Sequence, residues 1–174
     1  MQETATKLLE NKLPALLSHF AGECVDATDF RGDLCVVVRP GRIRDVIAFL
    51  KASPELPFEI LMDLFAMDYL KSKEPPPERF AVVYQLYSVS RGRRVRLKAY
   101  LPEARPEIDS IHDVYKAANW FEREAWDLFG VDFRGHPSLV RILCHNEFVG
   151  HALRKDYPAD RYQRLRSVSP SSGI

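Results

Sequence analysis

The sequence predicts an α+β domain with a mostly antiparallel sheet and helices packed on one face, followed by a long extended C-terminal segment. Helical spacing of apolar residues recurs in three stretches, strand-like patterns occur in five, and regular periodicity ends after Gly130. About 44 residues without periodicity are too many for one loop of a compact domain. We therefore predict an α+β domain at residues 1–131 and an extended partner-binding segment at residues 132–174.

The first part of the chain predicts a helix, a hairpin and a second helix. A helix from Thr4 or Thr6 to Gly22 should kink or restart at Pro14, which cannot donate a backbone hydrogen bond. Residues 25–30 and 33–38 are rich in strand-forming side chains on either side of a glycine turn. The next helix carries its apolar side chains at helical spacing: Ile43, Val46, Ile47 and Leu50.

Three further strands and a third helix complete the predicted domain. The strands are expected at residues 58–69, 80–89 and 94–101, with an exposed proline-rich loop at 71–78. In the last strand Val95 and Leu97 alternate with charged residues, so one face should be solvated. The third helix is expected to begin at Asp109 or Ser110. Its predicted core side chains are Ile111, Val114, Tyr115, Ala118 and Phe121.

Composition excludes several classes of protein. The formal net charge is +1, so no global field favours nucleic acid or an acidic membrane surface. Three widely spaced cysteines without a Cys-x-x-Cys pair argue against a disulfide framework or a zinc ribbon. No secretory signal and no uncharged apolar run of membrane-spanning length is evident. The basic run at residues 91–98 is better explained as a solvated strand face than as an RNA site, because no RNA-stacking aromatic pattern accompanies it.

The third helix and the residues after it hold the candidate functional residues. Helical spacing places Trp120, Arg123 and Asp127 on one stripe, with an expected ion pair between Arg123 and Asp127. Glu122 is expected near the boundary of the core. Tryptophan beside charged residues is a composition enriched at protein interfaces. The stripe therefore indicates a surface for a partner, and Trp126 should be partly exposed beside it.

The sequence gives little support for a metal site, a hydrolytic active site or a nucleotide site in this region. The spacings of His136, His145, His151 and Cys144 match no common zinc motif. A hydrolytic site with His136 as the base and Asp127 or Asp156 as its orienting acid would lack a nucleophile elbow. No glycine-rich phosphate loop precedes residues 154–156, which argues against a nucleotide site.

The third helix and the residues after it contain five motifs: Glu122-Arg123-Glu124, Asp127-Leu128-Phe129-Gly130-Val131, Gly135-His136-Pro137, Gly150-His151 and Leu153-Arg154-Lys155-Asp156-Tyr157-Pro158. Together these motifs resemble one known family, that of the 30 kDa subunit, or C subunit, of NADH-quinone oxidoreductase, respiratory complex I. Three positions depart from the family pattern: Ser138 replaces an acid, Val140 an arginine and Ala152 a proline. The resemblance extends over most of residues 34–158.

The resemblance implies a non-catalytic accessory subunit of the peripheral arm of a proton-translocating enzyme. In that family electrons pass from NADH through FMN and iron-sulfur clusters of other subunits to quinone, so no cofactor, metal or catalytic residue is expected in this chain. The implied partners are the D subunit, which forms much of the quinone cavity, and neighbouring peripheral-arm subunits. The implied location is the cytoplasmic side of the bacterial inner membrane, with membrane association only through the complex.

The expected interface with the partner combines helix residues and residues of the C-terminal segment. Arginines and Lys155 are expected to form charge-assisted bonds with acids of the partner. The predicted interface residues are Trp120, Glu122, Arg123, Glu124, Asp127, His136, Arg141, His151, Arg154, Lys155, Asp156 and Tyr157. Two alternatives remain open: the homologous subunit of a membrane-bound hydrogenase or of a ferredoxin- or F420-linked complex, and a stand-alone nucleic-acid-binding module.

Overall fold

A five-stranded sheet with helices against one face forms the centre of the molecule. The computed structural model describes residues 3–161 and residue 163. The helices are α1 (Glu3–Lys12), α2 (Pro14–Phe20), α3 (Ile43–Ala52) and α4 (Ala118–Phe129), with one 3-10 turn at Pro40–Arg42. The strands are β1 (Cys24–Phe30), β2 (Asp33–Val38), β3 (Ile60–Asp68), β4 (Phe80–Ser88), β5 (Arg93–Leu101), β6 (Glu107–Asp109) and β7 (Asp132–Arg134).

The large sheet is mostly antiparallel, as the sequence predicts. Its strand order is β1-β2-β5-β4-β3, and of its four pairings only β2 with β5 is parallel. The hairpin between β1 and β2 turns through Arg31 and Gly32, which have φ values of 56° and 91°. The sheet therefore presents two ends, one at this hairpin and one where β3 ends and β4 begins.

The core lies between the large sheet and the helices. The predicted stripe of α3 is confirmed, since Ile43, Val46, Ile47 and Leu50 are at most 2% exposed. In β5 the side chains of Val95, Leu97 and Ala99 are buried, while Arg94 on the opposite face is exposed. Pro14 begins α2 after a break from α1, which agrees with the predicted restart. No helix among residues 3–161 is long and apolar enough to cross a membrane.

The predicted start of the third helix is wrong. Residues 107–109 form β6, which pairs in parallel with β7, and α4 begins only at Ala118. Ile111 and Tyr115 are buried, but in turns rather than in a helix. Ser110 does not cap α4. Its hydroxyl donates to the Glu122 carboxylate inside the domain, so this stretch is held against α4 rather than continuing it.

Candidate partner-binding site at helix α4 and the trailing segment

The trailing segment, residues 135–161, lies along α4 and is held there first by the carboxylate of Asp127. Its Oδ2 accepts hydrogen bonds from the backbone amides of Ile142, Leu143 and Cys144 at 3.0, 2.8 and 2.9 Å. Its Oδ1 accepts from Arg141 Nη1 at 2.5 Å. Burial alone would raise the pKa of this fully buried carboxyl, but the amides and the guanidinium outweigh it and hold the pKa at about 2.

Arg141 holds the next part of the trailing segment, residues 148–150. Its Nη2 donates to the carbonyls of Phe148 and Gly150 at 2.8 and 3.0 Å. The guanidinium also lies over the rings of Trp126 and Phe148, with 5.6 and 5.4 Å to the ring centroids. Arg141 is therefore bonded within the chain on several sides.

The predicted ion pair between Arg123 and Asp127 is wrong. Arg123 instead donates to the carbonyls of Val140 and Arg141, both at 3.1 Å, and its guanidinium stacks on Trp120. The i, i+4 spacing permitted the pair, but Asp127 is turned towards the trailing segment, where Arg141 and three amides compete for it. Both residues consequently attach the segment to the helix.

Glu122 lies in the core and not at its boundary, which corrects the sequence interpretation. The residue is 0% exposed and accepts from Ser110 Oγ at 2.5 Å and from the Ile111 amide at 2.7 Å. Burial raises its pKa to about 7, although these hydrogen bonds favour the charged form. The Tyr84 hydroxyl is also buried in this core, without a hydrogen-bond partner in the described chain.

His136 is a buried neutral side chain that ties the start of the trailing segment to α4. Its Nε2 lies 3.1 Å from the carbonyl of Asn119, while Nδ1 accepts from the Ser138 amide. These two bonds assign the proton to Nε2. Burial lowers the pKa of His136, which keeps it uncharged 4.0 Å from Glu122. This geometry gives His136 a positioning role, and neither Asp127 nor Asp156 orients it.

The trailing segment also caps the carboxyl end of α4. Gly130 ends the helix in the left-handed conformation, with φ of 74°. Arg154 Nε donates to the carbonyl of Phe129 at 2.7 Å, and the Leu153 amide donates to Leu128. His151 Nδ1 lies 3.0 Å from the carbonyl of Asp127 and donates to it. Helix carbonyls that would otherwise lack partners are thereby satisfied.

Two residues outside the predicted site anchor the far part of the segment to the sheet. Asp68, at the end of β3, accepts from the Lys155 amide at 2.8 Å and pairs with Arg79 at 2.8 Å. Arg79 also reaches Asp156, at 3.0 Å. Burial opposes ionisation of Asp68, but Arg79 and the backbone amides lower its pKa to about 2. Sequence reasoning missed this anchor. An acid ending an apolar strand was the available signal, but its partners are remote in sequence.

Aromatic packing completes the segment. Tyr157 stacks on Phe148 with ring centroids 5.6 Å apart, and its hydroxyl accepts from Gln163 at 2.6 Å. His145 packs edge-on against Phe148, and both of its ring nitrogens are buried without a hydrogen-bond partner in the described chain. Among residues 3–161 and 163, no three His, Cys, Asp or Glu side chains are grouped so as to hold a metal ion.

Several apolar side chains are exposed on α4 and on the trailing segment, among them Trp120, which the sequence predicts at the interface. We call these side chains the exposed apolar set: Trp120, Val140, Leu143, Val149 and Leu153, which are 48–63% exposed. Glu124 and Lys155 are exposed as well. The charged residues predicted to face a partner are mostly bonded inside the chain, whereas the exposed surface offers apolar groups interspersed with other charged residues.

The described chain is thus an α+β domain whose last helix, α4, is covered by the trailing segment. The family model for the respiratory-chain NADH dehydrogenase 30 Kd subunit matches residues 36–163. The chain belongs to this family, and the resemblance found in the sequence is confirmed.

Similar proteins with assigned names agree with this family membership. The C subunit of NADH-quinone oxidoreductase from Geobacter sulfurreducens is 46% identical over 143 residues, covering 82% of this chain and 85% of the relative. The C/D subunit of NADH-quinone oxidoreductase from Chromohalobacter salexigens is 52% identical over 118 residues, covering 66% of this chain and 20% of that longer protein.

Two solved structures share the fold. A trypsin-resistant fragment (1-134) of Nqo5 is 37% identical, with a TM-score of 0.66 over 75% of this chain and 98% of the fragment. A chain of the membrane-bound sulfane sulfur reductase, an archaeal respiratory membrane complex, is 26% identical, with a TM-score of 0.61 over 73% of this chain and 71% of that chain.

Proposed function

We propose that this chain is a non-catalytic subunit of the peripheral arm of a proton-translocating NADH-quinone oxidoreductase and that it binds the D subunit of that complex. Family membership and relatives named as the C subunit support the assignment. Relatives named as a C/D subunit join the two in one protein, which supports the D subunit as the neighbour. FMN and iron-sulfur clusters would reside in other subunits. The chain would lie on the cytoplasmic side of the bacterial inner membrane and would be attached to the membrane only through the complex.

The observation that carries the proposal is that three arginines of α4 and the trailing segment bond within the chain, whereas apolar side chains are exposed to a partner. Arg123, Arg141 and Arg154 direct their guanidinium groups to carbonyls and to Asp127 within the chain. The exposed apolar set faces outward on the segment that these bonds shape. Fully burying a leucine or valine side chain contributes about 1.5–3 kcal/mol, so the four such side chains of the set, together with Trp120, can supply substantial affinity. Because the backbone is already held, binding costs less ordering entropy.

Apart from Glu122, the predicted interface residues accordingly take two roles in the proposal. One group holds the trailing segment in its binding shape: Arg123, Asp127, His136, Arg141, His151, Arg154, Asp156 and Tyr157. Glu122 lies in the core and supports α4 from within the domain. The other group, Trp120, Glu124 and Lys155, lies at the surface and contacts the partner beside the exposed apolar set. We propose that residues 132–174 act as the partner-binding part of the chain. β7 begins this part and pairs with β6 of the preceding domain.

Purification from membranes tests the assignment. A tagged chain expressed from its own locus and extracted in mild detergent should bring down the D subunit and the flavin- and iron-sulfur-containing subunits, with NADH-quinone reductase activity in the eluate. Mass spectrometry identifies the subunits, and a tagged unrelated cytoplasmic protein serves as the control. Recovery of the chain alone, without the D subunit or activity, would contradict the proposal.

A second candidate is the corresponding subunit of a related membrane complex with another electron donor. The observation that favours it is the shared fold with a chain of the archaeal sulfane sulfur reductase at 26% identity. The same purification separates the two, because an eluate that oxidises reduced ferredoxin or hydrogen but not NADH would assign the chain to the second class.

A further inference from the structure

The end of the sheet opposite the trailing segment carries a concentration of arginines. Arg31 lies in the turn between β1 and β2, and Arg91, Arg93, Arg94 and Arg96 lie in and after the turn between β4 and β5. The parallel pairing of Leu34 with Val95 brings the two turns to the same end of the sheet. We call these five arginines the basic end.

The guanidinium groups of the basic end differ from the others in the described chain by their lack of partners. None of the five forms a hydrogen bond or an ion pair among residues 3–161 and 163. Elsewhere in that part of the chain every arginine except Arg161 donates to a carboxylate or a carbonyl. Two of the five stack instead, Arg31 on Phe30 and Arg94 on Tyr87. The basic end thus holds cations whose bonding capacity is unused.

A cavity of about 610 Å³ opens between the arginines. Its lining includes the buried apolar residues Leu34 and Phe58 together with Arg31, Arg93 and Arg94. Of the described residues, Asp33 is the one carboxylate that lines it, and Lys12 on the rim is paired with Asp29. The lining of the cavity therefore carries an excess of positive charge.

Exposed apolar side chains extend this surface beyond the cavity. Phe30 is 71% exposed, Val89 57% and Ile60 45%, and all three lie at the same end of the sheet. Arginine together with aromatic and aliphatic side chains is the composition that protein interfaces favour over the rest of a protein surface. A partner that fits this surface has apolar side chains for Phe30, Val89 and Ile60 and carboxylates for the unpaired guanidinium groups.

We propose that the basic end binds an acidic polypeptide segment of a neighbouring protein, with an apolar side chain of that segment in the cavity and its carboxylates on the arginines. Guanidinium groups bind carboxylates through two parallel hydrogen bonds, which the free groups here can supply. The exposed apolar side chains beside the arginines suit a polypeptide better than a bare phosphate. The exposed apolar side chains Phe30, Val89 and Ile60 favour a polypeptide over nucleic acid, and a crosslink to RNA is an outcome that the test below distinguishes. The inference rests on the proposed function only in taking the neighbour to be another subunit of the same complex.

Photo-crosslinking in cells tests the proposal. The photoreactive amino acid p-benzoylphenylalanine is introduced at position 30 of the full chain, and the products are identified by mass spectrometry after irradiation. A crosslink to a peptide rich in Asp and Glu in another protein is expected. The same probe at position 120 reports on the trailing segment, so a crosslink from position 120 without one from position 30 would overturn the present inference and leave the proposed function standing. A crosslink from position 30 but none from position 120 would count against the interface in the proposed function alone.

Charge reversal supplies the matched comparison. The triple variant R31E/R93E/R94E should lower the yield of the crosslink from position 30 about tenfold, because like charges now face the carboxylates. The control K71E/K73E/K116E, which changes the net charge equally at three exposed lysines, should leave the yield unchanged. Thermal unfolding of both purified variants checks that they fold. An equal yield in folded R31E/R93E/R94E, a crosslink to a segment without acids, or a crosslink to RNA would each overturn the proposal.

Discussion

Replacing the Asp127 carboxylate by a neutral amide of the same shape should release the trailing segment from α4. In D127N the three amides of residues 142–144 and the Arg141 guanidinium lose their common anion. The difference between the ordinary pKa of 3.8 and the folded value of about 2 is about 1.8, or about 2.5 kcal/mol in favour of the charged group over a neutral one. We expect local opening of the segment to become more favourable by about that amount, which is about a 60-fold change in its equilibrium constant.

Hydrogen exchange followed by mass spectrometry measures this change. At pH 7 the amides of residues 142–144 should exchange about 60-fold faster in D127N than in the unsubstituted chain, while the amides of β4 should keep their rates. The exposed acid Glu124 provides the control, and E124Q should leave all of these rates unchanged. Since the folded pKa is depressed, the stabilisation is complete above about pH 5 and is lost as the pH falls through 3.8 and then through the folded pKa of about 2. Unchanged exchange at residues 142–144 in D127N would refute the role given to Asp127.

Three further substitutions test the core and the helix end. Because the pKa of Glu122 is raised to about 7, the unsubstituted chain should lose about 3 kcal/mol of stability as the pH rises from 4.5 to above 7, and E122Q should remove this dependence. Urea unfolding at pH 5.5 and 8.5 measures it, and an unchanged difference between the two pH values in E122Q would contradict the burial argument. G130A should destabilise the chain by at least about 1 kcal/mol more than G92A, because both have positive φ but only the new Cβ at position 130 would meet the His151 ring, at 2.6 Å. Equal urea midpoints for G130A and G92A would show that the His151 ring moves away from the new Cβ without a loss of stability. Y84F should raise stability by about 1 kcal/mol, since it removes a buried hydroxyl without a partner, and a lower urea midpoint would reveal a partner for that hydroxyl.

The sheet and α3 could be predicted because their side chains follow a simple period. Val95, Leu97 and Ala99 alternate with charged residues, and α3 repeats its apolar positions every three or four residues. The same reasoning misplaced the start of α4. Ile111 and Tyr115 have helical spacing and are buried, but they are held in turns by contacts with Glu122 and with the Phe58 carbonyl. A tertiary hydrogen bond outweighed the local pattern.

The motifs placed the candidate site on α4 and the residues that follow, but the roles of its charges could not be read from the sequence. The family that those motifs indicated is confirmed. Helical spacing offered Arg123 as the partner of Asp127, whereas the structure supplies backbone amides, which no sequence pattern displays. Trp120 was predicted at the interface, but the sequence could not show which apolar side chains of the trailing segment are exposed. The apolar residues there have no regular spacing, and their exposure depends on how Asp127 and Arg141 fold the segment.

The central claim, that the exposed apolar set binds a neighbouring subunit, is tested most directly by assembly of the complex with a charged group placed on that surface. The double variant L143D/L153D should deplete the assembled complex on a native gel of solubilised membranes, because carboxylates buried without partners oppose association. V25D changes an apolar side chain of 43% exposure on β1, remote from the trailing segment, and should assemble normally. Circular dichroism of the purified chains confirms that each variant folds. Normal assembly of L143D/L153D would contradict the account.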